Sequence, residues 1–211
     1  SHDLVINLGD LIHETETEKD VEEYKKVLKL LDNGKPVKSV GGNHDLNTFS
    51  REKLAALWGE QHLYYSFDLG GYHHIVLDGV RTTRPEPHHI DEAQVEWLKE
   101  DLKKTALPTI IYCHCPLDEQ EIKPNYYFGE RPEKAFITNR KEIRAIFESS
   151  KKVIGVFSGH LHFYNEMEIQ GIKYVTVPSF TENNGEHKPK AECLSVSIDG
   201  NKINSIVVKI S

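Results

Sequence analysis

Residues 37–45 read Val-Lys-Ser-Val-Gly-Gly-Asn-His-Asp, a short β-forming run that stops on two glycines and delivers Asn43, His44 and Asp45. A strand that ends this way, with polar side chains directly after it, describes the carboxyl edge of an open α/β sheet, where such folds gather their sites. Three more places repeat the arrangement. Residues 4–8 lead into Gly9-Asp10, residues 109–112 into His114, and residues 153–157 into Gly159-His160-Leu161-His162. One carboxylate, one amide oxygen and several imidazoles are thereby expected to converge on one sheet edge. Oxygen and nitrogen donors in that mixture suit borderline to hard divalent ions such as Mn, Fe, Zn or Co. With 3 cysteines in the chain, a Cys-rich zinc cage is excluded.

Outward from these blocks, helix-period and strand-period segments alternate. Residues 19–31 place Val21, Tyr24, Val27, Leu28 and Leu31 at helical spacing, and Asn33-Gly34 ends the run. Residues 51–58 predict a short helix with Ser50 as N-cap. Residues 64–69 and 73–77 flank Gly70-Gly71 and predict a hairpin. Residues 91–103 put Val95, Leu98 and Leu102 on one helix face, and residues 139–147 form another helix. Residues 166–169 and 173–177 flank Gly171, and residues 193–198 and 202–210 flank Asp199-Gly200-Asn201, a turn signal. Beta-alpha units first and hairpins later predict an α/β sandwich with two sheets and helices outside.

Composition narrows the classes. A chain of 211 residues can bury one sizeable core. A net charge of −7 argues against nonspecific binding of nucleic acid. No apolar run approaches the roughly 20 residues that span a bilayer. Cys113, Cys115 and Cys193 make no disulfide framework, so the expected location is cytoplasmic, unless an upstream leader directs otherwise. Neither a Gly-x-Ser-x-Gly elbow nor a P-loop is present.

Gly9-Asp10, Gly42-Asn43-His44-Asp45, His114 and Gly159-His160-Leu161-His162, in that order, resemble the calcineurin-like metallophosphoesterases, a superfamily of dinuclear metal hydrolases. The likeness runs from Leu4 to about Pro178 and implies one domain over residues 1–211, built as a four-layer α-β-β-α sandwich of mixed sheets. It also implies an enzyme that hydrolyses phosphoester bonds by direct in-line attack of metal-bound hydroxide. Asp10 matches the carboxylate that bridges two ions. Asn43, His114 and His160 match the remaining ligands of one ion, and His162 matches a ligand of the other. His44 matches the acid, or stabiliser of phosphate charge, for which an imidazole titrating near neutrality is suited. Asp45 is expected to orient that ring. Gly41 and Gly42 let the backbone approach closely.

The family's opening Asp-x-His block has no counterpart here, since the sequence begins at Ser1-His2-Asp3. The expected domain is therefore incomplete at its N-terminus, with its opening strand absent, and one bound ion is expected where the intact family holds two. Ser1-His2 also reads as a tag scar. An absent strand would leave two strand edges as templates for pairing. Either a further segment fills that slot or the chain oligomerises through it; a stable, soluble monomer would count against the second. The site position that usually carries a second Asp in that family is His13, read as a group behind the ligands or on the surface and not as a ligand.

Other features have a plain and a functional reading. Cys115 reads as a small buried thiol. His73-His74 and His88-His89 read as core or surface imidazoles. Residues 124–129, Pro-Asn-Tyr-Tyr-Phe-Gly, offer an aromatic wall for a base or aryl group, or ordinary packing. Arg81, Arg84 and Arg131 are either phosphate contacts or solvated surface. Two functions follow. The first is a phosphatase or phosphodiesterase, a nucleotide-diphosphatase-like one included, using Mn, Fe or Zn on a small phosphodiester, phosphomonoester or nucleotide pyrophosphate. The alternative is a non-catalytic metal-binding or protein-interaction scaffold with a degraded site.

Overall fold

The computed structural model describes residues 2–12, 17–32, 34–81, 87–122, 126–182 and 188–210. His13, Arg84, Pro124 and Asn125 lie outside the described residues, and so do the readings that fell on them. The chain runs β1 (Val5–Asn7), α1 (Thr17–Leu31), β2 (Val37–Ser39), α2 (Asn43–Thr48), α3 (Arg51–Trp58), β3 (Tyr65–Leu69), β4 (Tyr72–Leu77), α4 (Glu92–Lys104) and β5 (Thr109–Cys113). It continues with α5 (Tyr126–Glu130), a 3-10 turn at Pro132–Lys134, α6 (Arg140–Ser150), β6 (Val153–Ser158), β7 (Asn165–Ile169), β8 (Ile172–Thr176), β9 (Glu192–Asp199) and β10 (Lys202–Lys209).

A six-stranded sheet in the order β3-β4-β5-β6-β8-β7 forms the centre. Its four inner strands are parallel, and β3 and β7 pair antiparallel at the two edges. The inner strands are nearly continuous apolar runs, as strands covered on both faces must be. Alternate residues sort to the two faces. Ile75, Leu77, Ile111, Cys113, Val156 and Tyr174 join the core shared with α4 and α6, through Val95, Leu98, Leu102, Ile143 and Phe147. Val76, Ile110, Tyr112, Phe157 and Val175 face the other way.

That second face is covered by two small sheets. β1 and β2 pair in parallel, in register Val5 with Val37, and β9 pairs antiparallel with β10. Ile6, Leu8 and Val40 come from the first; Leu194, Ile198 and Ile203 come from the second. Gly155 makes the approach close, because a Cβ there would run into the Ile203 side chain. The second layer of the sandwich is thus in two pieces, with no ladder between them among the described residues. Beyond the first piece, Tyr24 of α1 packs edge-on to Phe49 at 5.5 Å, and its hydroxyl accepts the Trp58 indole N–H at 2.9 Å.

Helices α3 and α4 open on side-chain caps, the first of them at the expected Ser50. Ser50 Oγ accepts the Lys53 N–H at 3.2 Å, and the Asp91 side chain accepts the Gln94 N–H at 2.9 Å. Among the described residues no helix is long and apolar enough to cross a membrane. The parallel strands β1, β2, β5 and β6 all end near one another, and the four blocks follow those ends.

Candidate metal centre

The centre begins with backbone geometry. Gly9 (φ 96°) and Asp10 (φ 57°) turn the chain sharply after β1, both in the left-handed region. A side chain at position 9 would meet Gly42 N and His114 Nδ1, each at 2.7 Å. Gly42 is equally constrained, since a Cβ there would overlap the Asp10 carboxylate. Gly41 is not, because the nearest atom to its Cβ position lies 3.4 Å away. His160 (φ 65°) and His162 (φ 63°) are also left-handed, while Leu161 between them is fully buried beside Phe128 and Ala135. Non-glycine residues pay for such backbone by about 1–3 kcal/mol each and keep it where the surroundings demand it.

Four ligand groups meet at His114. Its Nε2 lies 3.3 Å from Asp10 Oδ2, 3.2 Å from Asn43 Oδ1 and 3.1 Å from His160 Nδ1. The outer nitrogens decide the tautomers. His114 Nδ1–H donates to the Leu8 carbonyl at 2.7 Å, and His160 Nε2–H donates to the Lys134 carbonyl at 2.9 Å. A carbonyl only accepts, so each ring carries its proton on the outside. In the neutral rings, two nitrogen lone pairs, a carboxylate oxygen and an amide oxygen then point at one another. A proton on His114 relieves one of these contacts; a cation satisfies all four. Bonds of about 2.0–2.2 Å to a central ion set neighbouring donors about 3 Å apart, which is the spacing present. The residues therefore fit a divalent ion.

Ionisation follows the same crowding. Burial pushes the Asp10 carboxyl up, but His114 and the His44 N–H outweigh it and hold the group well below the usual range. Burial pulls the His114 ring down, and the Asp10 charge more than restores it, so it titrates above an ordinary histidine. His160 is driven well below by burial and by His114.

Asn43 and His44 open helix α2. His44 N–H donates to Asp10 Oδ1 at 2.9 Å, which leaves Oδ2 for the centre. Asp45, expected to orient the His44 ring, is bonded to loop backbone. Its carboxylate accepts backbone N–H groups of Asp10 (2.8 Å), Leu11 (3.1 Å) and Gly42 (3.0 Å), so its bonds fasten two loops together instead of orienting the His44 ring. Burial and the Asp10 charge push its pKa up to about 6.

His162 stands apart from the four. Its Nδ1 lies 2.8 Å from Glu182 Oε2, a partner the sequence did not suggest. His88 was read as a core or surface imidazole, yet its ring stands 5.3 Å from that of His160, at 88°. His88, Cys115 and His160 offer ligand atoms within 4.8 Å of one another. Burial and His114 lower the His88 pKa to about 4. Phe128, from the aromatic segment, lies 4.7 Å from the His160 ring and walls that side. Arg81 turns to the Val80 carbonyl and Asp91, and Arg131 lies over the Tyr127 ring at 4.8 Å.

The sequence matches the calcineurin-like phosphoesterase family over residues 1–164. The chain belongs to that family. It is 31% identical to serine/threonine-protein phosphatase CPPED1 of Homo sapiens over 169 residues, 73% of this chain and 51% of that protein. Purple acid phosphatase 21 of Arabidopsis thaliana is 26% identical over 187 residues, 79% of this chain and 39% of that one. The chain thus spans about half the length of the CPPED1 proteins it matches. Among solved structures, a dimetal phosphatase from Danio rerio superposes with a TM-score of 0.71 at 18% identity, covering 99% of this chain and 84% of that one. That likeness shows a shared fold. Membership of the calcineurin-like phosphoesterases agrees with divalent ions at the centre.

Proposed function

We propose that this calcineurin-like phosphoesterase is a metal-dependent phosphoester hydrolase whose centre is built from Asp10, Asn43, His114 and His160. The observation that carries the reading is the convergence of three lone-pair donors on His114 Nε2, itself the fourth, at 3.1–3.3 Å, with the outer ring nitrogens tied to backbone carbonyls. A divalent ion held there supplies an acidified water and polarisation of the phosphoryl group. The chain's own residues do the rest. Asp10 divides its oxygens, one for the α2 backbone and one for the centre. To His44, on the first turn of α2, we assign donation of a proton to the leaving oxygen or stabilisation of phosphate charge. Phe128 closes one wall against water.

The substrate class is a small phosphomonoester or phosphodiester, nucleotide pyrophosphates included. The phosphatase names of the CPPED1 relatives support the monoester side of that reading. A second ion would take Asp10 and His162. One observation favours the alternative of a non-catalytic scaffold: His162 is engaged by Glu182, and among the described residues it lies outside the group of Asp10, His114 and His160 whose ligand atoms stand within 4.8 Å of one another. One assay separates the two. Hydrolysis of 4-nitrophenyl phosphate and its bis-ester is measured with and without Mn²⁺, for the wild type and Asp10→Asn. Turnover that requires Mn²⁺ and disappears in the variant supports the hydrolase; equal, background rates in both overturn it.

A further inference from the structure

We propose that His88 is a substrate-contacting residue, which gives its Nε2–H to a phosphoryl oxygen held at the centre. The inference rests on the reading of the chain as a metal-dependent hydrolase, and deepens it by assigning a role to a residue outside the motif blocks. The Arg81 backbone N–H donates to His88 Nδ1 at 3.2 Å. A backbone N–H only donates, so Nδ1 keeps its lone pair and the ring proton sits on Nε2. That Nε2–H has no acceptor among the described residues.

The tautomer decides between two uses of the ring. His88, Cys115 and His160 offer ligand atoms within 4.8 Å of one another, but in His88 one nitrogen is taken by a backbone donor and the other bears the proton. The ring therefore brings a hydrogen-bond donor to the centre and not a further lone pair. A donor is what a phosphoryl oxygen requires, and bonds to a charged acceptor are roughly twice as strong as bonds between neutral groups.

Contacts on both sides fix where the donor stands. The His88 ring meets that of His160 edge-on, with centroids 5.3 Å apart at 88°, and His160 Nδ1 lies 3.1 Å from His114 Nε2. A hydrogen bond of about 2.9 Å from such a ring reaches an oxygen carried at the centre. Beneath the ring, the His88 carbonyl accepts the Thr138 N–H at 2.9 Å and the Thr138 hydroxyl at 3.0 Å. The His89 N–H donates to the Gly79 carbonyl at 2.9 Å, and the Asn139 side chain accepts the Ile90 N–H at 3.1 Å and donates to the Ile90 carbonyl at 2.9 Å. A donor held in this way loses little freedom when it engages a ligand, so its bond counts towards affinity. His89 is exposed and its Nδ1 lies 3.1 Å from Thr138 Oγ1, which makes it the natural control.

The test measures orthophosphate binding to the Mn²⁺-loaded chain through the paramagnetic relaxation of its phosphorus resonance, together with KM and kcat for 4-nitrophenyl phosphate. Wild type, His88→Phe, His88→Gln and His89→Gln are compared after a separate Mn²⁺ titration of each. All should take Mn²⁺ alike. His88→Phe should bind orthophosphate about tenfold more weakly. His88→Gln, whose amide still donates, should recover part of that loss, with KM following in the same order, and His89→Gln should match the wild type. Equal orthophosphate affinity in wild type and His88→Phe overturns the proposal, and so does an equal loss in both His88 variants, which would mark a packing role. Loss of Mn²⁺ itself in His88→Phe would mean support of the ligands and also overturns it. A wild type that binds Mn²⁺ but no orthophosphate overturns the substrate contact alone; one that binds no Mn²⁺ overturns the hydrolase reading and this proposal with it.

Discussion

The Asp45 carboxylate accepts the backbone N–H of Asp10 at 2.8 Å across 35 residues of sequence, and so holds in place the residue whose own carboxylate faces the imidazoles. The same group accepts Leu11 and Gly42 N–H, making one side chain the clasp between the loops after β1 and β2. Removing it leaves three backbone donors without their acceptor, at about 1–3 kcal/mol for each that stays buried. Asp45→Ala is expected to lower the unfolding free energy by at least about 2 kcal/mol in urea, and to weaken Mn²⁺ binding with it. A variant as stable as the wild type would show that the clasp is dispensable.

Gly41 and Gly42 are neighbours with opposite tolerance. Alanine at 42 drives a methyl group into the Asp10 carboxylate, whereas alanine at 41 meets only ordinary contacts from 3.4 Å outward. Gly42→Ala should lose Mn²⁺ affinity by about tenfold or more and Gly41→Ala should stay near the wild type. Calorimetric titration of the two variants checks this, and equal affinities would mean the loop relaxes at no cost.

A separate pH dependence comes from His74, far from the centre. Its ring lies between Phe67 (4.8 Å) and Tyr112 (5.9 Å), both nearly parallel to it. Nδ1 accepts the Tyr112 hydroxyl at 3.0 Å, and Nε2–H faces the Leu69 carbonyl at 3.3 Å. Burial pulls its pKa below 6.5. The folded state therefore binds this proton less readily than the unfolded chain. The contribution to stability is complete above about pH 6.5 and is lost as pH falls from there through the folded pKa, by about 1.4 kcal/mol per unit of displacement. Urea unfolding of wild type and His74→Gln at pH 7.5 and pH 5 should show their difference shrinking at the lower pH. A constant difference would rule out His74 as its source.

Much of this was legible in the sequence because it is local. Ser50 announces a helix through its cap, and Val95, Leu98 and Leu102 announce a buried face; all act within a few residues. The four blocks were legible as strand-end signals, and Asp10, Asn43, His114 and His160 do meet. What escaped reading is set by long-range packing. The block at Asn43 starts a helix, and Asp45 serves loop backbone, because only the fold brings Gly9–Leu11 beside it. His88 stands beside His160 because the segment before α4 is held by long-range backbone bonds, Thr138 N–H to the His88 carbonyl and His89 N–H to the Gly79 carbonyl, which no spacing announces. Glu182 reaches His162 through a loop closed by Ser179 and Lys190, a contact without any periodic signature.

The central claim is that Asp10, Asn43, His114 and His160 hold a divalent ion. Equilibrium Mn²⁺ binding by the wild type and Asp10→Asn tests it most directly. The variant keeps an oxygen for the His44 N–H and replaces the oxygen facing His114 with a donor, so the fold is retained while the centre loses its charge. The account predicts saturable binding by the wild type and a loss of at least about a hundredfold in the variant, measured under conditions where both proteins are shown to be folded. Equal binding by both proteins, or none by the wild type, would contradict it.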